Sequence, residues 1–173
     1  MYKVKGFTLI ELVIVIVLLG ILSVIAAPKF IELQRESRIS VLNQVQASFK
    51  SVATMTNSKA IIQQFEDGTI DVDGNAIQIR GSFPTGHWNN TWRYAMNIGK
   101  EIGFTRTNQI CTQNDLCGVG NQRNAPSLPI ATTSRGLVLI WLEGMKLSDL
   151  CYSYYYNDEL GEFPEVGMVT DGC

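Results

Sequence analysis

The strongest constraint in the sequence is an uncharged apolar run, Leu12 to Ala27, that follows Gly6-Phe7-Thr8-Leu9-Ile10-Glu11 near the start of the chain. From Phe7 to Ala27 there are about 21 residues, which at 1.5 Å of rise each cover a hydrocarbon core of roughly 30 Å. A chain of 173 residues that gives this stretch to a membrane-length helix has room for one further domain. The run therefore predicts an anchoring helix and a single head.

Two features separate the run from an ordinary anchor. Glu11 sets a carboxylate inside the Phe7 to Ala27 span, at a cost of about 2.5 kcal/mol or more in a bilayer, and the span holds no cation to pair with it. Ahead of it, Lys3 and Lys5 hold the N-terminus on the cytoplasmic side and stop at a Gly-Phe junction. A cleaved secretory signal, with small residues at Val24-Ile25-Ala26, is the rival reading. It would leave Glu11 in the apolar segment and the amphipathic pattern after Pro28 with no membrane segment to extend.

Past Ala27, Pro28 removes a backbone donor and Gly20 weakens the turns before it, so this stretch is expected to be the weak point of the helix. Leu42, Val45, Phe49 and Val52 then recur at three and four residues, with Arg38, Gln46, Lys50 and Lys59 elsewhere on the wheel. An amphipathic helix to about Gln64 follows. The next segment, Gly68 to Arg80, alternates apolar residues on either side of Asp73-Gly74, which predicts a hairpin. Asp71-Val72-Asp73-Gly74-Asn75 also looks like a calcium loop, but the downstream bidentate Glu is absent.

Ser82 to Gly86 reads as a turn, and Asn89 or Asn90 as the cap of a short helix through Trp92, Tyr94, Met96 and Ile102. The triplet Asn89-Asn90-Thr91 matches a glycosylation acceptor, with capping as the preferred use. His87, the only histidine, has no acid at motif spacing and reads as a loop residue. From Cys111 to Pro129 the residues turn to Asn, Gln, Gly, Pro and Ser, predicting a loop excursion. Gly136 to Leu142 suits a central strand packed on the helix. Leu150 to Tyr156 suits a strand that alternates Cys151, Ser153 and Tyr155 against Tyr152, Tyr154 and Tyr156, the tyrosine hydroxyls free to stay wet rather than stack a ligand. A last short strand is expected at Val166 to Val169.

The formal net charge is −2, from 14 basic and 16 acidic residues, and becomes −4 without Lys3 and Lys5; no basic stripe favours nucleic acid. No nucleophile-elbow glycine pattern accompanies the serines, so no catalytic residue is assigned, and no metal or cofactor is expected. Cys111, Cys117, Cys151 and Cys173 fit no paired C-x-x-C zinc pattern, and a head held outside the cytoplasm would oxidise them. Three pairings are open on spacing alone.

The stretch Lys5-Gly6-Phe7-Thr8-Leu9-Ile10-Glu11-Leu12 resembles the prepilin processing motif of type IV pilins. The resemblance implies cleavage between Gly6 and Phe7 by a membrane prepilin peptidase, methylation of the new Phe7 amine, and polymerisation into a filament by the pilus assembly machinery. Glu11 then becomes the fifth mature residue, and Gly20 and Pro28 match the family's helix-breaking positions. The nearest-neighbour pairing, Cys111 with Cys117 and Cys151 with Cys173, is the one expected; the resemblance implies only the second bond, since such pilins close a C-terminal loop with a disulfide, and the Cys111 and Cys117 pair has no counterpart in the group's usual pattern. Cys151-Tyr152, the terminal Thr170-Asp171-Gly172-Cys173 and Ala26-Ala27-Pro28-Lys29-Phe30 are most similar to the mannose-sensitive haemagglutinin group.

The expected architecture is α+β: a leader at 1–6, a transmembrane and polymerisation helix at 7–29, and a head at 30–173. The membrane half of the helix would protrude, its second half would pack on an antiparallel sheet, and a disulfide would close the C-terminal loop. The implied function is that of a structural subunit, not an enzyme, which resides in the inner membrane and then in a surface pilus used for attachment, with motility or biofilm formation as further uses, and with copies of itself and other pilins as partners. The alternatives are a pseudopilin of a type II secretion machine, which shares the leader and helix, and a periplasmic binding protein or enzyme with a cleaved signal.

Overall fold

The structure, a computed structural model, describes residues 7–96, 98, 102–112, 114–158 and 163–173. The fold is α+β. It opens with one long helix, α1 (Leu9–Gln63), whose assignment runs unbroken through Pro28. The chain divides into two compact units, Met1–Ser37 and Arg38–Cys173.

In the first unit every large apolar side chain from Phe7 to Leu33 is exposed, from 42% at Val13 to 80% at Leu9. Leaving such a side chain in water forgoes roughly 1.5–3 kcal/mol. Over this length the surface demands lipid or other protein, and the helix is long and apolar enough to cross a membrane. Ser23 does not spoil it, because its hydroxyl donates to the Leu19 carbonyl at 2.8 Å, one turn back.

In the second unit α1 supplies the buried seam Leu42, Val45, Phe49, Ala53, Thr56 and Ala60, with Val52 at its border. The period is the one expected of an amphipathic helix; toward its end the seam narrows to small residues. Two sheets meet it. The first is a three-stranded antiparallel meander, β1 (Gly68–Val72), β2 (Asn75–Arg80) and β3 (Phe83–Pro84). Its hairpin turns at Asp73 and Gly74, with φ of 54° and 82°, the paired left-handed conformation of a two-residue type I′ turn.

The second sheet has the order β4 (Ile102–Phe104), β5 (Leu116–Gln122), β6 (Leu137–Leu142), β7 (Tyr152–Tyr156) and β8 (Glu165–Val169). It is antiparallel except for β4, which runs parallel to β5. The apolar strand β6 lies at its centre, buried throughout. Residues opposite one another in an antiparallel pair share a face, so Val138 joins Tyr155 and Ile140 joins Ser153 on the α1 side. There Phe49, Trp92 and Tyr155 form an aromatic knot, with ring centroids 4.4–5.9 Å apart.

Three local expectations are corrected. Strand β5 stands inside the stretch read as a loop from Cys111 to Pro129. Its glycines mark close packing rather than turns: a Cβ on Gly118 would lie 2.0 Å from the Trp88 ring. The short helix is not capped by Asn89 or Asn90 and does not reach Ile102, which begins β4. It starts after His87 as a wide π-type turn, Trp88–Trp92, continues in α2 (Arg93–Ala95) and is extended by Met96. The wide turn buries Trp88, Thr91 and Trp92, and the Trp92 indole donates to the Thr85 carbonyl at 2.9 Å. Thr91 of the glycosylation triplet is spent inside, its hydroxyl 3.0 Å from that of Thr85.

The third correction concerns the tyrosines, of which Tyr152, Tyr155 and Tyr156 spend their hydroxyls on partners within the chain. All of β7 is buried. On the face away from α1, Tyr152 donates to the Pro126 carbonyl, while the Tyr156 oxygen accepts from the Thr133 and Ser134 backbone N–H groups at 3.0 and 3.2 Å. The loop that follows β5 thus covers the second face of the sheet. On the other face Tyr155 donates to the Pro84 carbonyl at 2.7 Å and links the two sheets.

Candidate functional site

The residues that carry the sequence argument lie at the start of α1. Gly6 and the rest of the leader lie outside the described residues. Phe7 is 79% exposed and, like Thr8, precedes the first helical residue, Leu9. Thr8 is the helix cap. Its backbone N–H donates to Glu11 Oε2 at 2.9 Å and its hydroxyl to the same oxygen at 2.7 Å, while the Glu11 N–H donates to the Thr8 hydroxyl at 3.3 Å.

This reciprocal capping box satisfies donors that the first helical turn leaves without partners. It also answers the question posed by an acid in an apolar run: the carboxylate is held by its own helix start, where the helix dipole favours negative charge. Both Thr8 bonds fall on Oε2, so Oε1 remains open to a further donor. Thr8 is the capping partner of Glu11 that the sequence reading left unmarked, and its signal is the spacing Thr8-Leu9-Ile10-Glu11.

Further along, a Cβ on Gly20 would meet nothing within 4 Å, so its lack of a side chain is not forced by packing within the chain. Pro28 lies within the helix at the end of the uncharged run, followed by a Lys29–Glu32 ion pair of 3.2 Å between exposed side chains.

In the second unit all four cysteines are bonded, Cys111 to Cys117 and Cys151 to Cys173. The second bond joins the residue before β7 to the tail that follows β8. Arg38 Nη1 donates to the Cys173 carbonyl at 3.1 Å, Gln46 Nε2 to the Val166 carbonyl at 3.3 Å, and the Gly172 N–H to the Leu150 carbonyl at 3.1 Å. The tail is therefore fastened by one covalent and two polar links, one of them from Arg38 of α1, while Gln46 of α1 holds the neighbouring strand β8.

Residues 1–27 match the model of the prokaryotic N-terminal methylation motif. The chain carries that motif. It is also 40% identical over 58 residues to the type IV narrow pilus major component PilA5 of Thermus thermophilus, an alignment that takes in 34% of this chain and 50% of that relative. The chain thus spans about half the length of the curated relative it matches. No solved structure matches it. The motif and the pilin relative together support a pilin or pseudopilin.

Proposed function

We propose that the chain is a structural subunit of a type IV pilus. A prepilin peptidase cleaves between Gly6 and Phe7, the Phe7 amine is methylated, and residues 7–29 hold the subunit in the inner membrane with 30–173 as its head. The assembly machinery then moves it, with copies of itself and other pilins, into a surface filament used for attachment. The observation that carries this reading is the coincidence of the methylation motif over residues 1–27 with a helix whose apolar side chains are exposed from Phe7 to Leu33. Lipid covers that surface before assembly and neighbouring subunits cover it afterwards.

Within this reading Glu11 sets the register. Its Oε2 is held by Thr8, and Oε1 accepts the Phe7 amine of the adjoining subunit, which offsets part of the burial cost of both charges. Gly20 and Pro28 are the positions at which the helix gives up hydrogen bonds as subunits pack. A pseudopilin would share the leader and helix; the Cys151–Cys173 bond favours a pilin. Residue similarity at Ala26 to Phe30 and at the terminal Cys151 and Cys173 favours a subunit of the mannose-sensitive haemagglutinin type. The test is electron microscopy of sheared surface material, joined to mass analysis of its N-terminus. Filaments built of this chain support the proposal, and a chain found only in the periplasm as a soluble monomer overturns it.

A further inference from the structure

One face of the head holds a trough of 640 Å³ between the segments that follow β4, β5 and β6, lined among others by Thr107, Asn108, Gln122, Asn124, Lys146 and Ser148. Its lining offers amides and hydroxyls, and among the described residues that line it Lys146 is the one charged side chain. Asp149, next to the lining, is already engaged, its carboxylate accepting the Lys146 backbone N–H at 2.8 Å. Arg106 and Arg123 adjoin the lining residues Thr107 and Gln122 in sequence and carry the same sign.

The opposite charge is concentrated at the β1–β2 hairpin. Glu66, Asp67, Asp71 and Asp73 fall within it or just before it, and no basic residue occurs between Lys59 and Arg80. Two of these acids have work within the chain. Asp67 accepts from the Gly81 N–H at 2.9 Å, and Asp71 faces Lys59 at 3.7 Å and accepts from the Gly74 N–H at 3.3 Å. Asp73 stands exposed at the turn itself, on a ribbon of two strands about 4.8 Å apart.

We propose that the trough receives the hairpin tip of a second copy of this chain, with Asp73 set against Lys146. The inference rests on the polymerisation reading above. An exposed ion pair is weak on its own, so this contact matters where it repeats between many copies already aligned by their helices. It assigns the hairpin and the trough to opposite sides of one head-to-head interface.

The experiment is cross-linking within filaments of the full chain. All four native cysteines are paired, so Asp73→Cys with Ser148→Cys introduces the only free thiols. The expected result is a ladder of covalent dimers, trimers and higher species on non-reducing gels, absent from either single variant. In parallel, Lys146→Glu should lower filament yield, and Asp73→Lys in the same chain should restore it. Filaments that form normally but give no ladder and no reciprocal rescue overturn the interface alone. A wild-type chain that builds no filament overturns the polymerisation reading and the interface with it.

Discussion

Replacing Cys151 and Cys173 by alanine should destabilise the head more than replacing Cys111 and Cys117, and the difference follows from loop length. The two bonds close sequence separations of 22 and 6 residues. The chain-entropy relation gives about 3.4 kcal/mol for the longer loop and about 2.2 kcal/mol for the shorter one. Alanine is the substitution of choice because Cys111, Cys117 and Cys151 are fully buried, and serine would add an unpaired hydroxyl to the cost. At roughly 3–5 °C per kcal/mol for a domain of this size, the tail variant should melt roughly 10–17 °C below wild type and the short-loop variant roughly 7–11 °C below. Thermal melts of the unit Arg38–Cys173, followed by circular dichroism, measure both. A reversed order, or a tail variant that loses less than about 1 kcal/mol, would refute the loop-length explanation. The second outcome would mean that the Arg38 and Gly172 hydrogen bonds already hold the tail and that the unfolded chain gains little freedom.

Three further outcomes are expected. Glu11→Ala should be cleaved after Gly6 and keep a native head yet give few filaments, and Thr8→Val should fray the helix start by about 1 kcal/mol and lower filament yield, with Thr8→Ser restoring it; piliation assays and N-terminal mass analysis check both. Gly118→Ala should cost about 1–3 kcal/mol because its Cβ meets the Trp88 ring at 2.0 Å, whereas Gly74→Ala, which meets nothing within 4 Å but sits at φ 82°, should cost about 1–2 kcal/mol through backbone strain alone; urea unfolding separates them. Head stability should fall as the pH rises above 10: burial, then Tyr154, pushes Tyr152 up to about 12, burial raises Tyr155 well above the ordinary tyrosine range, and burial together with Glu165 raises Tyr154. The folded state holds these protons more tightly than the unfolded chain, so deprotonation above pH 10 favours unfolding. Tyr156 opposes this slightly, since the hydrogen bonds from Ser134 and Thr133 outweigh its burial and lower it; melts at pH 9 and pH 11.5 give the net sign.

What could be read from the sequence was whatever a local pattern determines. The seam Leu42, Val45 and Phe49 is a period, and Asp73-Gly74 is a turn chemistry, so the helix and the first hairpin emerged with nearly correct limits. Strand β5 was hidden because its glycines are explained only by a side chain about thirty residues away: Gly118 is small to admit Trp88. The alternation in β7 correctly divided the strand into two faces but misjudged the outer one. At Tyr152 and Tyr156 the segment from Pro126 to Ser134 folds over that face and takes up their hydroxyls, a long-range cover with no periodic signature. At the N-terminus the motif was plain in the sequence, while the capping box was legible but overshadowed by the apolar run around it.

If Gly6 and Phe7 mark a processing junction, the apolar helix behind it enters the filament with a new N-terminus. Intact-mass and N-terminal analysis of this chain, taken from sheared surface filaments, tests that most directly. The expected subunit begins at Phe7 with a methylated amine and carries two disulfides. A subunit that begins at Ala27, or one that retains Met1 to Gly6 in the filament, would contradict it.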